Sequence, residues 1–554
     1  MRRIIYPTAL LGLALAWTTS GCNSAGPGNK RTKKDTVAQK VERWNKSIPG
    51  NFSEQHEVFL DSTALQRFFA AYPETKKYEK EMRQFYANRQ YAYAWFDSKG
   101  LIEQAENLNN RIQNIQSEGV TDTVSFHLVL DTLIRNTDQN DLAGNKPDVN
   151  TELLLTAGYF AFSKIVWEGM DENISKSNDW LIPRKKISYE EYLQALLKQP
   201  KDSFLADAPV FKQYEALRQN LQRYRNMMGK VNWSPITADK KSYKPGDSAA
   251  VVLQIKKRLL ALGDWKGDTL SGKYDEPFKP AVQQFQLRHG LGDDGVIGAG
   301  MIRALNVPLD KRIEQIIVNM ERSRWVPVSL NTDHLIVNIP EFKLHVYEKD
   351  RLAWSCNVVV GQAIHKTVIF SGDLKYVVFS PYWNVPYSIA KNEVGPGMRR
   401  NKNYLARHNM ELLGYNGGVP VVRQKPGGAN SLGLVKFLFP NSHSIYLHDS
   451  PSKGLFNRDS RAFSHGCVRV SEPKRLAMWL LRNEPVWTAA KIDSAMNAGK
   501  ERTVTLKQQV PVFIGYFTAF VDDNGLMNFR EDIYKRDERL GAMVLKQDTV
   551  KKPL

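Results

Sequence analysis

The chain has 554 residues, 42% of them hydrophobic, with twelve tryptophans and a formal net charge of +19. That length exceeds one ordinary core, so two to four packed domains are expected. The positive charge is spread along the chain without a helix-turn-helix, zinc-finger or RNA-binding signature, which sets nucleic-acid binding aside in favour of an anionic envelope or polymer surface.

Arg2 and Arg3 precede an apolar run from Ala9 to Trp17, then Thr18-Thr19-Ser20-Gly21-Cys22. The run falls far short of the roughly 20 residues a spanning helix needs, so residues 1–22 read as a secretory signal. Gly21-Cys22 resembles a lipobox, with Cys22 the lipidated first residue of the mature chain. Residues 23–45 are rich in Gly, Asn, Lys, Arg, Thr and Ser, which suits a flexible tether lifting the protein off a membrane. From 46 to 235 apolar residues recur at helical spacing, as in Leu153-Leu154-Leu155, Ala157, Phe160-Ala161-Phe162 and Ile165-Val166, and predict a helical domain. Its aromatics Tyr91, Tyr93, Trp95 and Phe96 are assigned to the core.

Residues 243–308 form a distinct unit. Val252, Ile255, Leu259 and Leu262 lie on one helix face that ends at Gly263. Phe278, Val282 and Phe285 mark a second helix, and Met301, Ile302 and Leu305 a third. In 309–333, Ile313, Ile316, Ile317 and Met320 predict a linking amphipathic helix. The period becomes two at His334, through Leu335, Val337, Ile339, Phe342, Leu344 and Val346, and predicts a mostly β domain over 334–500. A segment dense in Gly, Asn, Arg and Pro, about 395–429, interrupts it. Residues 501–540 extend this domain, whereas the charged residues from Lys535 onward, with 541–554, read as a solvated tail.

Only three cysteines occur. With Cys22 spent as an anchor, Cys356 sits in a strand-like run and reads as a core residue. Cys467 lies in Ser464-His465-Gly466-Cys467-Val468-Arg469-Val470, read as a turn leading into a helix. His448 lies 19 residues upstream in Ser444-Ile445-Tyr446-Leu447-His448-Asp449. A thiol is a weak nucleophile until ionised, and an imidazole is its usual activator, so the pattern reads as a Cys/His acyl-transfer site. Position alone leaves both His448 and His465 open as the base. Strand neighbours point to opposite faces, so a backbone carbonyl rather than the Asp449 side chain is expected to orient His448. The N–H groups of Gly466 and Cys467 are the candidate oxyanion donors, and Ser464 a hydrogen-bonding turn residue. Arg469 suits a bidentate grip on a substrate carboxylate. Tyr446 shares a strand face with His448 and lines the donor pocket. No Cys/His set has zinc spacing, so neither metal nor cofactor is expected. A papain-like protease would place its Cys before its His, the reverse of the order here.

Ser464–Val470, with a His-bearing strand before it, resembles the signature of YkuD-type L,D-transpeptidases. Asn338-Ile339-Pro340, Tyr382-Trp383-Asn384-Val385-Pro386, Val435–Asn441 and Tyr446–Asp449 narrow the resemblance to the large YcbB-like branch. Leu259–Gly263, Ala281–Gln286 and Gly290-Leu291 with Asp294-Gly295 resemble the three-helix peptidoglycan-binding domain. The resemblance implies a multi-domain α+β chain: helical scaffold, three-helix peptidoglycan-binding module, and a mostly β YkuD-type sandwich with a lid insertion at about 395–429. It implies Cys467 as nucleophile and His448 rather than His465 as general acid/base, with Gly466 supplying an oxyanion-hole N–H. Arg469, Tyr446, His465 and Ser464 fall around the substrate.

The implied reaction acylates the thiol with a tetrapeptide stem, releases D-Ala, and transfers the acyl group to a diamino-acid side chain, making a 3–3 crosslink. Water as acceptor would make an L,D-carboxypeptidase, and a protein lysine is a third acceptor. From another class, residues 243–308 suit a non-catalytic lipoprotein tether. The implied partners are peptidoglycan peptides and glycan, the membrane through the lipid anchor, and other cell-wall synthesis proteins, at a periplasm-facing location.

Overall fold

A computed structural model describes residues 58–545 except 98–99, 142–146, 199–207 and 328–330. The signal, Cys22 and the tether lie outside the described residues. No described helix is long and apolar enough to cross a membrane.

The first part of the chain is helical around α1 (Val149–Phe162), which is buried from Thr151 onward. Asp148 caps α1 by accepting from the Thr151 N–H. Glu152, the single acid of α1, is buried but accepts from the N–H groups of Ala94 and Trp95 and from the Tyr86 hydroxyl. Its oxygens are therefore satisfied. Tyr93, Trp95 and Phe96 join this core. Tyr91 does not: it closes a turn at φ 64°, which leaves its ring exposed.

After α2 (Gln213–Met227) come the three short helices of the next module, α3 (Ala250–Leu262), α4 (Lys279–Arg288) and α5 (Ala299–Leu305). Val252, Ile255, Leu259, Phe278, Val282 and Phe285 fill their shared core. Gly263 ends α3 in the left-handed region at φ 84°, a conformation glycine adopts without steric cost.

Helix α6 (Leu309–Trp325) joins the parts. Its buried Arg324 donates to the carbonyls of Val166 and Glu118 and to the Glu321 carboxylate. Trp325 meets Trp180 edge-on, with centroids 5.5 Å apart, and the Leu181 N–H reaches the Ile369 carbonyl at 3.0 Å. Arg288 donates to the Met527 carbonyl at 2.8 Å, and Arg530 returns a bond to the Arg288 carbonyl at 2.7 Å. Scaffold, three-helix module and C-terminal domain thus share polar contacts as well as packing.

The C-terminal domain is built from β1 (His334–Asn338), β2 (Lys343–Glu348), β3 (Arg351–Gly361), β4 (Phe370–Phe379), β5 (Trp383–Asn384), β6 (Met410–Asn416), β7 (Val419–Gln424), β8 (Val435–Leu438), β9 (Leu447–His448), β10 (Ala462–Ser464), β11 (Val468–Val470) and β12 (Arg502–Gly515). One sheet runs β10-β3-β11-β9-β8-β4-β12-β1-β2, and β2 pairs again with β3, so the sheet closes on itself. Closure leaves few free edges. Cys356 is buried in β3, and burial pushes its thiol up to about 11.

Strands β6, β7 and β5 form a separate three-stranded sheet over the lid segment. It reaches back to Trp383, earlier than the expected start near 395, because β7 pairs with β5 through Arg423–Asn384 and Gln424–Trp383. The expected solvated tail from Lys535 is instead a helix, Arg536–Val544. Leu540 and Val544, four residues apart, give it one apolar face, and Arg536 donates to the Asn178 carbonyl at 2.7 Å.

Candidate active site

The helix expected directly after Cys467 begins only at Pro473; Val468-Arg469-Val470 is strand β11. Two β-branched residues alternating with an arginine favour extended chain, and both valines face the core. Strands β9 and β11 run parallel, with Leu447 beside Val468 and His448 beside Arg469. One step back, the Val468 N–H donates to the Tyr446 carbonyl at 3.2 Å, which sets Tyr446 beside Cys467. Alternation sends Leu447, Val468 and Val470 inward and leaves Tyr446, His448, Cys467 and Arg469 together on the other face. With strands ~4.8 Å apart and alternate residues ~6.6 Å apart, the diagonal from Cys467 to His448 is within side-chain reach.

His448 is buried, and its Nδ1–H donates to the Asp449 carbonyl. With Nδ1 as the donor, Nε2 is left as the nitrogen able to accept a proton. Burial pushes the imidazole down to about 4, and the Arg469 cation adds to that shift. Burial also raises the Cys467 thiol above its ordinary value, against a hydroxyl and an N–H from Tyr446 and the charge of Arg469, which favour the thiolate. Both shifts favour the neutral forms. The thiol rests 3.6 Å from the Ser444 carbonyl, and none of the hydrogen bonds among the described residues joins it to His448.

The Asp449 carboxylate does not orient the ring. It accepts from the N–H groups of Leu434 (2.9 Å) and Ser450 (2.7 Å) and from Lys453. Ser464, expected in a turn, is instead the last residue of β10, and it brackets the bend that follows: its hydroxyl donates to the Cys467 carbonyl at 2.6 Å and accepts from the Gly466 N–H at 3.2 Å. That second bond occupies the N–H expected at Gly466 as an oxyanion donor. The Cys467 N–H has no partner among the described residues. Gly466 holds φ 116°, which L side chains rarely adopt.

Arg469 pairs with no carboxylate among the described residues, and its buried Nε has no partner. His465 turns elsewhere: its Nε2 lies 3.3 Å from Glu393 of the lid segment, and its ring centroid 5.0 Å from that of His365. Sequence reasoning missed Thr367, whose hydroxyl reaches the Gly466 carbonyl at 2.8 Å, and Lys436, in register with His448 on β8 and 3.8 Å from Glu501. Trp383 hydrogen-bonds the Tyr446 hydroxyl. Strand pairing places Lys436, and side-chain hydrogen bonds place Thr367 and Trp383.

Residues 332–488 match the YkuD family model, described as "L,D-transpeptidase catalytic domain", residues 80–221 one described as "Scaffold domain", and residues 248–305 one described as "Putative peptidoglycan binding domain". A Haemophilus influenzae protein named "Putative L,D-transpeptidase" is 33% identical over 256 residues, 44% of this chain, and the chain spans 52% of that relative's length. Among solved structures, an L,D-transpeptidase (Yku) from Stackebrandtia nassauensis is 14% identical, covering 50% of this chain and 98% of its own, with a TM-score of 0.22. L,D-transpeptidase 1 of Mycobacterium tuberculosis is also 14% identical, over 33% of this chain and 62% of its own, with a TM-score of 0.16. Likeness that distant leaves the site's geometry to this chain's own residues. On the family matches, the chain carries the catalytic domain of the YkuD L,D-transpeptidases, preceded by a helical scaffold domain and a peptidoglycan-binding domain.

Proposed function

We propose that the protein is a cysteine-dependent peptidoglycan L,D-transpeptidase. The observation that carries this reading is the patch of Cys467, Tyr446, His448 and Arg469 on two paired strands, in a chain that also holds a peptidoglycan-binding domain. His448 Nε2 takes the thiol proton as Sγ attacks the carbonyl carbon of the third, diamino-acid residue of a tetrapeptide stem. The Cys467 N–H meets the developing oxyanion. The C–N bond to D-Ala breaks, the leaving amine takes the proton from His448, and a thioester remains. The side-chain amine of a second stem then attacks the thioester, giving up a proton through His448 to the departing thiolate, and a 3–3 crosslink forms. Arg469, with no carboxylate partner among the described residues, is placed for a carboxylate of the stem.

The wider setting belongs to the same proposal: export, lipidation at Cys22, a periplasm-facing position at a membrane, a contribution to cell shape, and work alongside other wall-synthesis proteins. Purified protein incubated with disaccharide-tetrapeptide, followed by mass spectrometry, tests the activity. Loss of D-Ala with a 3–3 dimer, absent from Cys467→Ala, is the expected result. Tripeptide alone would make it a carboxypeptidase. No adduct on Cys467 from peptide or carbapenem would leave a wall-binding tether.

A further inference from the structure

Thr367 begins the stretch leading into β4, far from the Cys467 motif in sequence, and is fully buried. Its hydroxyl has one proton and two lone pairs. The Gly361 N–H donates to it at 2.9 Å, and it donates to the Gly466 carbonyl at 2.8 Å. The incoming bond occupies a lone pair and so directs the proton toward Gly466. Tyr534 holds this arrangement from behind: its hydroxyl accepts from the Thr367 N–H at 3.2 Å and donates to the Gly361 carbonyl. A side chain at Gly361 would strike the His365 carbonyl, with a Cβ only 2.0 Å away, so the 362–366 turn lies tightly over this ring of bonds.

The carbonyl of Gly466 and the N–H of Cys467 belong to one peptide unit. In a planar trans peptide they point in opposite directions, and no described peptide bond is cis. Fixing the carbonyl inward therefore aims the N–H outward, on the thiol side. The neighbouring groups are committed: the Gly466 N–H and the Cys467 carbonyl are both bonded to the Ser464 hydroxyl. The Cys467 N–H alone of these four groups has no partner among the described residues. A hydrogen bond on the carbonyl also polarises the peptide and strengthens its N–H as a donor.

We infer that Thr367, locked by Tyr534, is a positioning residue that aims the Gly466–Cys467 peptide so that its N–H serves as the oxyanion donor for acyl transfer. The inference rests on acyl transfer at Cys467, which the proposed function assumes.

The test compares two reactions of the same thiol in the full chain. Attack on p-nitrophenyl acetate forms a tetrahedral oxyanion; alkylation by iodoacetamide does not. Thr367→Val, which keeps the shape and removes the hydroxyl, is expected to slow acylation by roughly tenfold or more, toward the loss seen on removing an oxyanion donor. Its alkylation rate and the pH profile of that rate should match wild type, and Thr367→Ser should restore acylation. Tyr534→Phe should shift the ratio of the two rates in the same direction. An unchanged ratio in Thr367→Val, or equal loss of both reactions, would overturn the inference. Because p-nitrophenyl acetate is not a stem peptide, a wild-type protein inert toward tetrapeptide would refute the proposed substrate while leaving this comparison readable.

Discussion

His448 and Arg469 stand side by side in register on parallel strands, an imidazole next to a guanidinium on one face of the sheet. A cation in that position favours the neutral ring, adding to the effect of burial. These shifts hold the thiol and the imidazole toward their neutral forms.

The pH dependence of acylation follows from the sign of these shifts. A base whose value is lowered to about 4 stays unprotonated down to that pH. The acid limb of the acylation rate should therefore fall near pH 4 rather than near the ordinary histidine value of about 6.5. In Arg469→Gln the limb should move upward, but only in part, because burial is the larger cause. Rates of Cys467 acylation measured by mass spectrometry between pH 3 and 8 check both statements. The thiol, raised by burial, should show its alkylation rate still climbing above the usual range near pH 8.5.

The two histidines should separate cleanly. His448→Gln removes the group placed to move the proton and should reduce acylation by about 10²–10⁴-fold. His465→Gln touches only the partly exposed contact with Glu393 and the ring of His365, so acylation should persist. Matching losses in both variants, measured in parallel, would contradict the assignment.

Gly433 supports the histidine indirectly. It holds φ 63°, and a Cβ there would lie 2.4 Å from Asp449 Cγ. Gly433→Ala combines backbone strain of about 1–3 kcal/mol with displacement of the carboxylate that holds Leu434 and Ser450. Melting temperature and acylation rate should fall together, as followed by calorimetry and mass spectrometry.

The C-terminal helix should matter for stability rather than chemistry. Leu540 is buried, and Leu540→Ala should cost about 2–5 kcal/mol through lost contacts and a residual cavity. Denaturant titration reads this loss; the acylation rate of the folded fraction should not change. A variant as stable as wild type would return this segment to the status of a loose tail.

Much of the architecture was legible in the residues because it is written in local periodicity. The 3.6-residue repeat of Val252, Ile255 and Leu259 and the two-residue repeat from His334 each depend on a single element meeting a core, and both appear where expected. Local patterns failed where long-range contact decides. Tyr91 lies among core aromatics but closes a left-handed turn. Arg536–Val544 looks charged, yet docks through Leu540 and Val544.

The same division runs through the site. That Tyr446 shares a face with His448 follows from alternation within one strand, so the sequence by itself determined it; the pairing of Cys467 with a histidine was read from residue chemistry. Tertiary structure decided which residue stands beside His448, because that depends on the parallel register of β9 and β11. It also decided that the Cys467 N–H, not that of Gly466, is free, because Ser464 occupies one and Thr367 turns the peptide of the other. A hydrogen bond between residues 99 positions apart leaves no periodic trace in the chain; only closure of the sheet brings its two ends together.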